Sequence, residues 1–236
     1  MVHLKFFQTL CANFFQSGRN CKLNKPSYTL RKKQKKYRLP WKGDANSVDS
    51  FQNEKIVKRI ISKNKDLMQI LRIIKLLDLK QGVLAAGSIR NTVWQVLSGQ
   101  QVFLENDVDL VYYDPSKPQN YDFFIESQLR ENYPGYNWQV KNEVYMHDYD
   151  FKKENPFVSV EDAIAHFVET PTCIGAYLNT NEILKLIIPY GVDDLVNFTC
   201  RPVPAFREDQ QHLDIFKNRI RCKKWIKKYP QLKVIV

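Results

Sequence analysis

Two aspartates and a Gly-Ser pair are the residues of this chain best suited to chemistry. Residues 86–113 read AGSIRNTVWQVLSGQQVFLENDVDLVYY, with Gly87-Ser88 between a short apolar run and a helix-like stretch. Asp107 and Asp109 then open an apolar, β-branched and aromatic run. On a strand, residues two apart face the same side, with about 6.5 to 7 Å between their Cα atoms. Both carboxylates then converge on one metal ion or bridge a pair, while Val108 and Leu110 point into the core. Mg2+ (or Mn2+) suits such a site, because a hard cation takes one or two carboxylates and completes its shell with phosphate and water. The Gly-Ser turn complements the pair. Glycine lets the backbone approach a phosphate closely, and the N–H groups of a helix start, with the Ser88 hydroxyl, favour an anion. Arg90 and Asn91, one turn into the helix, extend toward the same phosphates, and arginine suits bidentate contact. The chemistry that needs this set is metal-assisted nucleotidyl transfer, an in-line attack on the α-phosphate of an NTP. Each piece alone is commonplace, as a helix cap or a solvated strand end. Their order, strand–GS–helix–loop–strand, is what carries the reading.

The surrounding elements must hold these groups together. Apolar residues at helical spacing predict helices within 48–80. A buried strand follows over 83–86, a helix over 88–98 closed by Gly99, and a strand over 107–114 ended by Asp114-Pro115. Further expectations are a helix over 121–133, a strand over 136–146 and a helix over 159–169 with Ser159 as its N-cap. A hairpin is expected from 173–178 and 183–188, a helix from 192 to 198, and a basic helix over 208–228. The fold class is α/β (α+β), with a small mixed sheet flanked by helices.

Length and charge divide the chain. Its 236 residues suit one domain with an appendage. Residues 1–43 hold eleven Lys or Arg and no acid; removing those eleven from the 36 basic residues leaves 25 beside 25 acidic ones. The net charge of +11 therefore belongs to the arm, and the balance is even over 44–236. We read 1–43 as a basic, mobile extension and 44–236 as the folded domain. The run Arg31-Lys32-Lys33-Gln34-Lys35-Lys36-Tyr37-Arg38 suits solvation or nucleic-acid phosphate contact, with Tyr37 and Trp41 as stacking partners. A nuclear-import signal has the same composition. Leu4, Phe7, Cys11 and Phe14 recur at helical spacing, the pattern of a mitochondrial presequence, although arginine and serine are sparse there. Cytoplasm is the default expectation. The five cysteines are widely spaced and form no C-x-x-C pair, which argues for reduced thiols and against structural zinc. No stretch is long and apolar enough for a membrane helix.

At the Gly-Ser and Asp-x-Asp residues the chain resembles the DNA polymerase β-like nucleotidyltransferase superfamily. More narrowly it is similar to a bacterial nucleotidyltransferase-like family with a Gly-x-Ile-Arg-Asn-x-Val-Trp signature followed by Asn-Asp-x-Asp. The matching residues are Gly87, Ile89, Arg90, Asn91, Val93, Trp94, Asn106, Asp107 and Asp109. The resemblance extends over most of residues 65–236, through segments at Trp138-Gln139-Val140-Lys141-Asn142, Met146-His147 and Tyr190-Gly191-Val192-Asp193-Asp194-Leu195. It implies a polymerase β-like fold, Mg2+ and an NTP. It names no acceptor, which could be RNA, protein or a small molecule. The 18 residues between Ser88 and Asp107 exceed the spacing common in the superfamily. The third carboxylate that such sites carry on a later strand is not obvious. Glu143 is the best candidate, as third ligand or general base, although relatives of this type often look like Gln at that place. Strand alternation groups Glu143 with Lys141 and Gln139, and Asn142 with Val140 and Val144. If the Asn142 face meets the metal, no third carboxylate exists. The expected function is Mg2+-dependent transfer of NMP from an NTP. The alternative is a nucleotide- or RNA-binding protein that keeps the fold without the catalysis.

Overall fold

The computed structural model describes residues 47–105, 107–147 and 155–236. The arm expected over residues 1–43 lies outside them, as do Asn106 and the Asp148-Tyr149-Asp150 segment.

Two helices come first, α1 (Ser47–Lys63) and α2 (Lys65–Leu76). Asn64 separates them, its side-chain oxygen accepting from the Leu67 N–H at 2.9 Å as an N-cap. The apolar stripe of the sequence becomes their buried face, with Val57, Ile61, Leu67, Ile70, Leu71, Ile73 and Ile74 all in the core. Strand β1 (Val83–Ala85) is buried throughout and leads directly into helix α3 (Gly87–Leu97). Strand β2 (Val108–Tyr112), helix α4 (Tyr121–Asn132) and strand β3 (Trp138–Asn142) follow. After a short helix α5 (Val160–Ala165) come the hairpin strands β4 (Gly175–Leu178) and β5 (Leu184–Ile187). The chain closes with α6 (Asp193–Val196), β6 (Thr199–Cys200), α7 (Gln210–Lys223), α8 (Trp225–Lys228) and β7 (Lys233–Val234).

The main sheet is mixed and five-stranded, in the order β3-β2-β1-β4-β5. Strand β1 pairs antiparallel with β2 and β4, β2 pairs parallel with β3, and β4 pairs antiparallel with β5. Strands β6 and β7 form a separate parallel pair. The α/β expectation with a small mixed sheet is therefore met.

Three predicted elements are shorter than the sequence suggests. The strand expected over 136–146 stops at Asn142, whose side chain accepts from the Val144 N–H at 3.4 Å and starts a 3-10 turn over Glu143–Tyr145. The helix expected over 159–169 ends at Ala165, because the chain beyond it turns into an extended pairing in which Thr170 N–H donates to Arg201 O at 2.9 Å. The final helix breaks at Lys224, which adopts a left-handed φ of 53°.

Candidate active site

The register of the sheet brings the two sequence motifs together. Ala85, at the end of β1, is the cross-strand partner of Asp109 on β2. The chain leaves that position through Ala86 into Gly87 and Ser88, so the start of α3 lies beside the aspartate pair. Ala86 carries the tight part of the turn, at φ 54° and ψ −115°, and Gly87 is already the first helical residue. The expectation that the glycine supplies the unusual backbone is thus corrected by one residue. The Ala86 N–H is anchored on Ile174 O of the segment before β4, at 2.9 Å. The Ser88 hydroxyl donates to the backbone carbonyl of Asp107 at 3.2 Å, a direct tie between the turn and the carboxylate strand.

Asp107 sits just before β2 and is buried, with 7% of its surface exposed. Both of its carboxylate oxygens accept side-chain amides, Oδ1 from Asn137 and Oδ2 from Gln139 at 2.7 Å. Asp109 is half-buried within β2. Burial and the neighbouring Asp107 charge raise its pKa to about 7, opposed by Lys223, Arg90 and Arg219. A pair of carboxylates in this state is a site short of positive charge.

Gln139 is the cross-strand partner of Asp109 and lies on the aspartate face of the sheet. The Gln139–Lys141 face therefore meets the pair, and the Asn142 face does not. Asn142 is turned away, donating to Asp114 O at 2.8 Å and accepting from the Asp114 N–H at 3.1 Å. Glu143 lies just past the strand end and is enclosed, with 2% of its surface exposed. Its Oε1 has no hydrogen-bond partner among the described residues. Burial, Asp122 and Asp109 raise its pKa to about 8. Glu143 thus feels the aspartate pair, while an amide, Gln139, stands beside Asp107.

Arg90 and Asn91 behave differently from a phosphate-facing pair. Arg90 is 1% exposed. Its Nε and one terminal nitrogen donate to Asn91 Oδ1, at 3.2 and 3.0 Å, and the other terminal nitrogen donates to Thr172 Oγ1 at 2.6 Å. The guanidinium stacks over the Trp225 ring at 4.2 Å and lies 3.7 Å from Glu169. Burial lowers its pKa to about 10, against the support of Glu169. Glu169 is wholly buried and also receives Arg219 Nε at 2.7 Å. Burial pushes the Glu169 carboxyl up, but Arg219 and Arg90 hold it below the usual range. Arg90 and Asn91 are therefore committed to each other and to a buried network that locks α3 to the C-terminal helices.

Glu169, Arg219, Gln139 and Lys223 were not singled out by the sequence. Gln139 carried a readable signal, since the 139-141-143 alternation already placed it on one face with the candidate acid. The other three lie 60 or more residues beyond Asp107 in the chain, and only the tertiary fold brings them near.

A family described as nucleotidyltransferase matches residues 72–234, and the chain belongs to it. A solved structure described as revealing a CCA-adding enzyme head domain is 35% identical, with a TM-score of 0.69 over 76% of this chain and 94% of that one. A tRNA-processing enzyme in apo form is 15% identical, with a TM-score of 0.43 over 85% of this chain and 46% of that one. A tRNA-processing enzyme with CTP is 15% identical, with a TM-score of 0.41 over 70% of this chain and 43% of that one. No curated protein matches in sequence.

Proposed function

We propose that this nucleotidyltransferase moves an NMP unit from an NTP to an acceptor hydroxyl, with Asp107 and Asp109 as its metal-binding carboxylates. The observation that carries this reading is the register that sets Asp109 against Ala85, one residue from the Gly-Ser turn. Triphosphate seat and carboxylate pair then share one sheet edge.

The donor set fits a hard divalent cation. Two carboxylates stand two residues apart, one with a raised pKa that an incoming cation would relieve. No cluster of three or more metal-ligating side chains is found among the described residues. The remaining ligands would come from phosphate and water, as is usual for Mg2+ or Mn2+. When bound, the metal supplies charge neutralisation at the phosphates and lowers the pKa of the attacking oxygen.

The chain's own residues supply position. Asn137 and Gln139 fix the Asp107 carboxylate by occupying both oxygens. Ser88 fixes the turn against Asp107 O, leaving the first N–H groups of α3 for phosphate. Arg90 and Asn91 act behind the turn, holding α3 in place through Thr172 and Glu169. The reaction forms a bond from the acceptor oxygen to the α-phosphorus and breaks the α–β bridging bond, so pyrophosphate leaves. The hydroxyl proton goes to a carboxylate of the site. We assign that role to Glu143, whose Oε1 has no hydrogen-bond partner among the described residues and whose pKa of about 8 suits a base near neutrality. The likeness to a CCA-adding head domain supports an RNA 3′ hydroxyl as the first acceptor to try. The experiment is transfer of label from each α-labelled NTP to RNA, protein and small-molecule pools, with Mg2+ or Mn2+.

One observation favours a second reading, binding without transfer. The residue beside Asp107 on β3 is an amide, Gln139, and not a third carboxylate. NTP binding with no label transferred to any pool would select it.

A further inference from the structure

Lys223 ends helix α7 and is held where the site needs a cation. One turn earlier, Arg219 Nε bonds Glu169 at 2.7 Å. Two residues later, the Trp225 ring lies beneath the Arg90 guanidinium at 4.2 Å. Both contacts press this stretch against α3, the helix that starts at the Gly-Ser turn. The left-handed Lys224 ends the helix at that point.

The charges around Lys223 are already allotted. Glu169 serves Arg90 and Arg219. Asp107 and Asp109 serve the metal in the reading proposed above, on which this inference rests. The Lys223 ammonium is half-buried, and no hydrogen bond or ion pair joins it to a described residue. A lysine near a helix C-terminus often does no more than complement the helix dipole, but such a lysine is ordinarily solvated. A half-buried ammonium close to two guanidinium groups is costly unless an anion arrives. Consistently, burial, Arg219 and Arg90 lower its pKa to about 8, with Glu169 and Asp109 opposing.

We propose that Lys223 contacts the triphosphate of the bound NTP. The test is titration calorimetry on the full chain with Mg2+, using NTP, inorganic pyrophosphate and NMP as probes. Lys223→Ala should weaken NTP and pyrophosphate about tenfold to a hundredfold, the loss of one charge-assisted contact, and leave NMP affinity unchanged. Lys223→Arg should recover most of the loss, and both variants should melt as the wild type does. Unchanged NTP and pyrophosphate affinity in Lys223→Ala, or an equal loss for NMP, overturns the assignment. If the wild type binds neither NTP nor pyrophosphate, the nucleotidyl-transfer reading falls with it.

Discussion

Gln139 donates its side-chain amide to Oδ2 of Asp107 at 2.7 Å, from the strand position that faces Asp109. An amide there satisfies the first aspartate without adding charge. Replacing it with a carboxylate tests how much negative charge the site tolerates. Gln139→Glu should cost the metal-free protein about 1 to 2 kcal/mol through like-charge repulsion. Saturating Mg2+ should then raise the melting temperature of the variant by more than it raises that of the wild type. Equal metal-induced shifts would mean that residue 139 does not face the cation.

Glu143 gives a pH signature. Burial makes the native state hold this proton up to about pH 8, whereas the unfolded chain releases it near the ordinary value of 4.5. As pH rises from 4.5 to 8, the unfolded state is favoured by proton release, so the residue lowers stability progressively across that window. Glu143→Gln should therefore stabilise the metal-free protein by a few kcal/mol, on the order of the pKa shift, at pH 8 and by little at pH 4.5. Denaturant melts at both pH values measure this. In the transfer assay the same variant should lose roughly a hundredfold or more of the rate.

Arg90 is predicted to show its main effect in stability. Arg90→Lys keeps a charge but loses the fork to Asn91 and Thr172 and the stacking on Trp225. The Glu169 carboxylate would also lose part of its counter-charge. A loss of about 2 to 4 kcal/mol is expected in chemical denaturation. A variant as stable as the wild type would show that the buried network does not need the guanidinium.

Ala86 occupies a backbone conformation that suits glycine, at φ 54° and ψ −115°. Ala86→Gly should relieve about 0.5 to 1 kcal/mol, after allowing for the greater freedom of glycine in the unfolded chain. Thermal melts should show a rise of a few degrees. A fall would mean that the alanine methyl packs well enough to outweigh the strain.

Much of this architecture could be read from residue patterns. Alternation and apolar runs marked β1 and β2, and helical spacing marked α1, α2 and the core face that includes Ile70 and Ile74. Gly-Ser and Asp-x-Asp marked the two halves of the site because their backbone and charge requirements are local. What local pattern could not show was partnership. The Arg90–Glu169–Arg219 network joins three distant segments through burial, and a buried ion pair has no sequence period. The end of β3 at Asn142 depends on that side chain capping the next turn, a choice that a β-prone sequence conceals. The turn residue shifted from Gly87 to Ala86 for a related reason, since the Ala86 N–H is fixed by Ile174, 88 positions away.

The most direct test is label transfer from α-labelled NTPs by wild type and by Asp109→Asn, each with Mg2+ or Mn2+. The substitution removes the buried charge and keeps the shape, so the variant should fold, with a melting temperature at pH 8 at or above that of the wild type. The account predicts labelled product with the wild type and none with Asp109→Asn. Equal label transfer by both proteins would contradict the assignment of the Asp107–Asp109 pair as the catalytic centre.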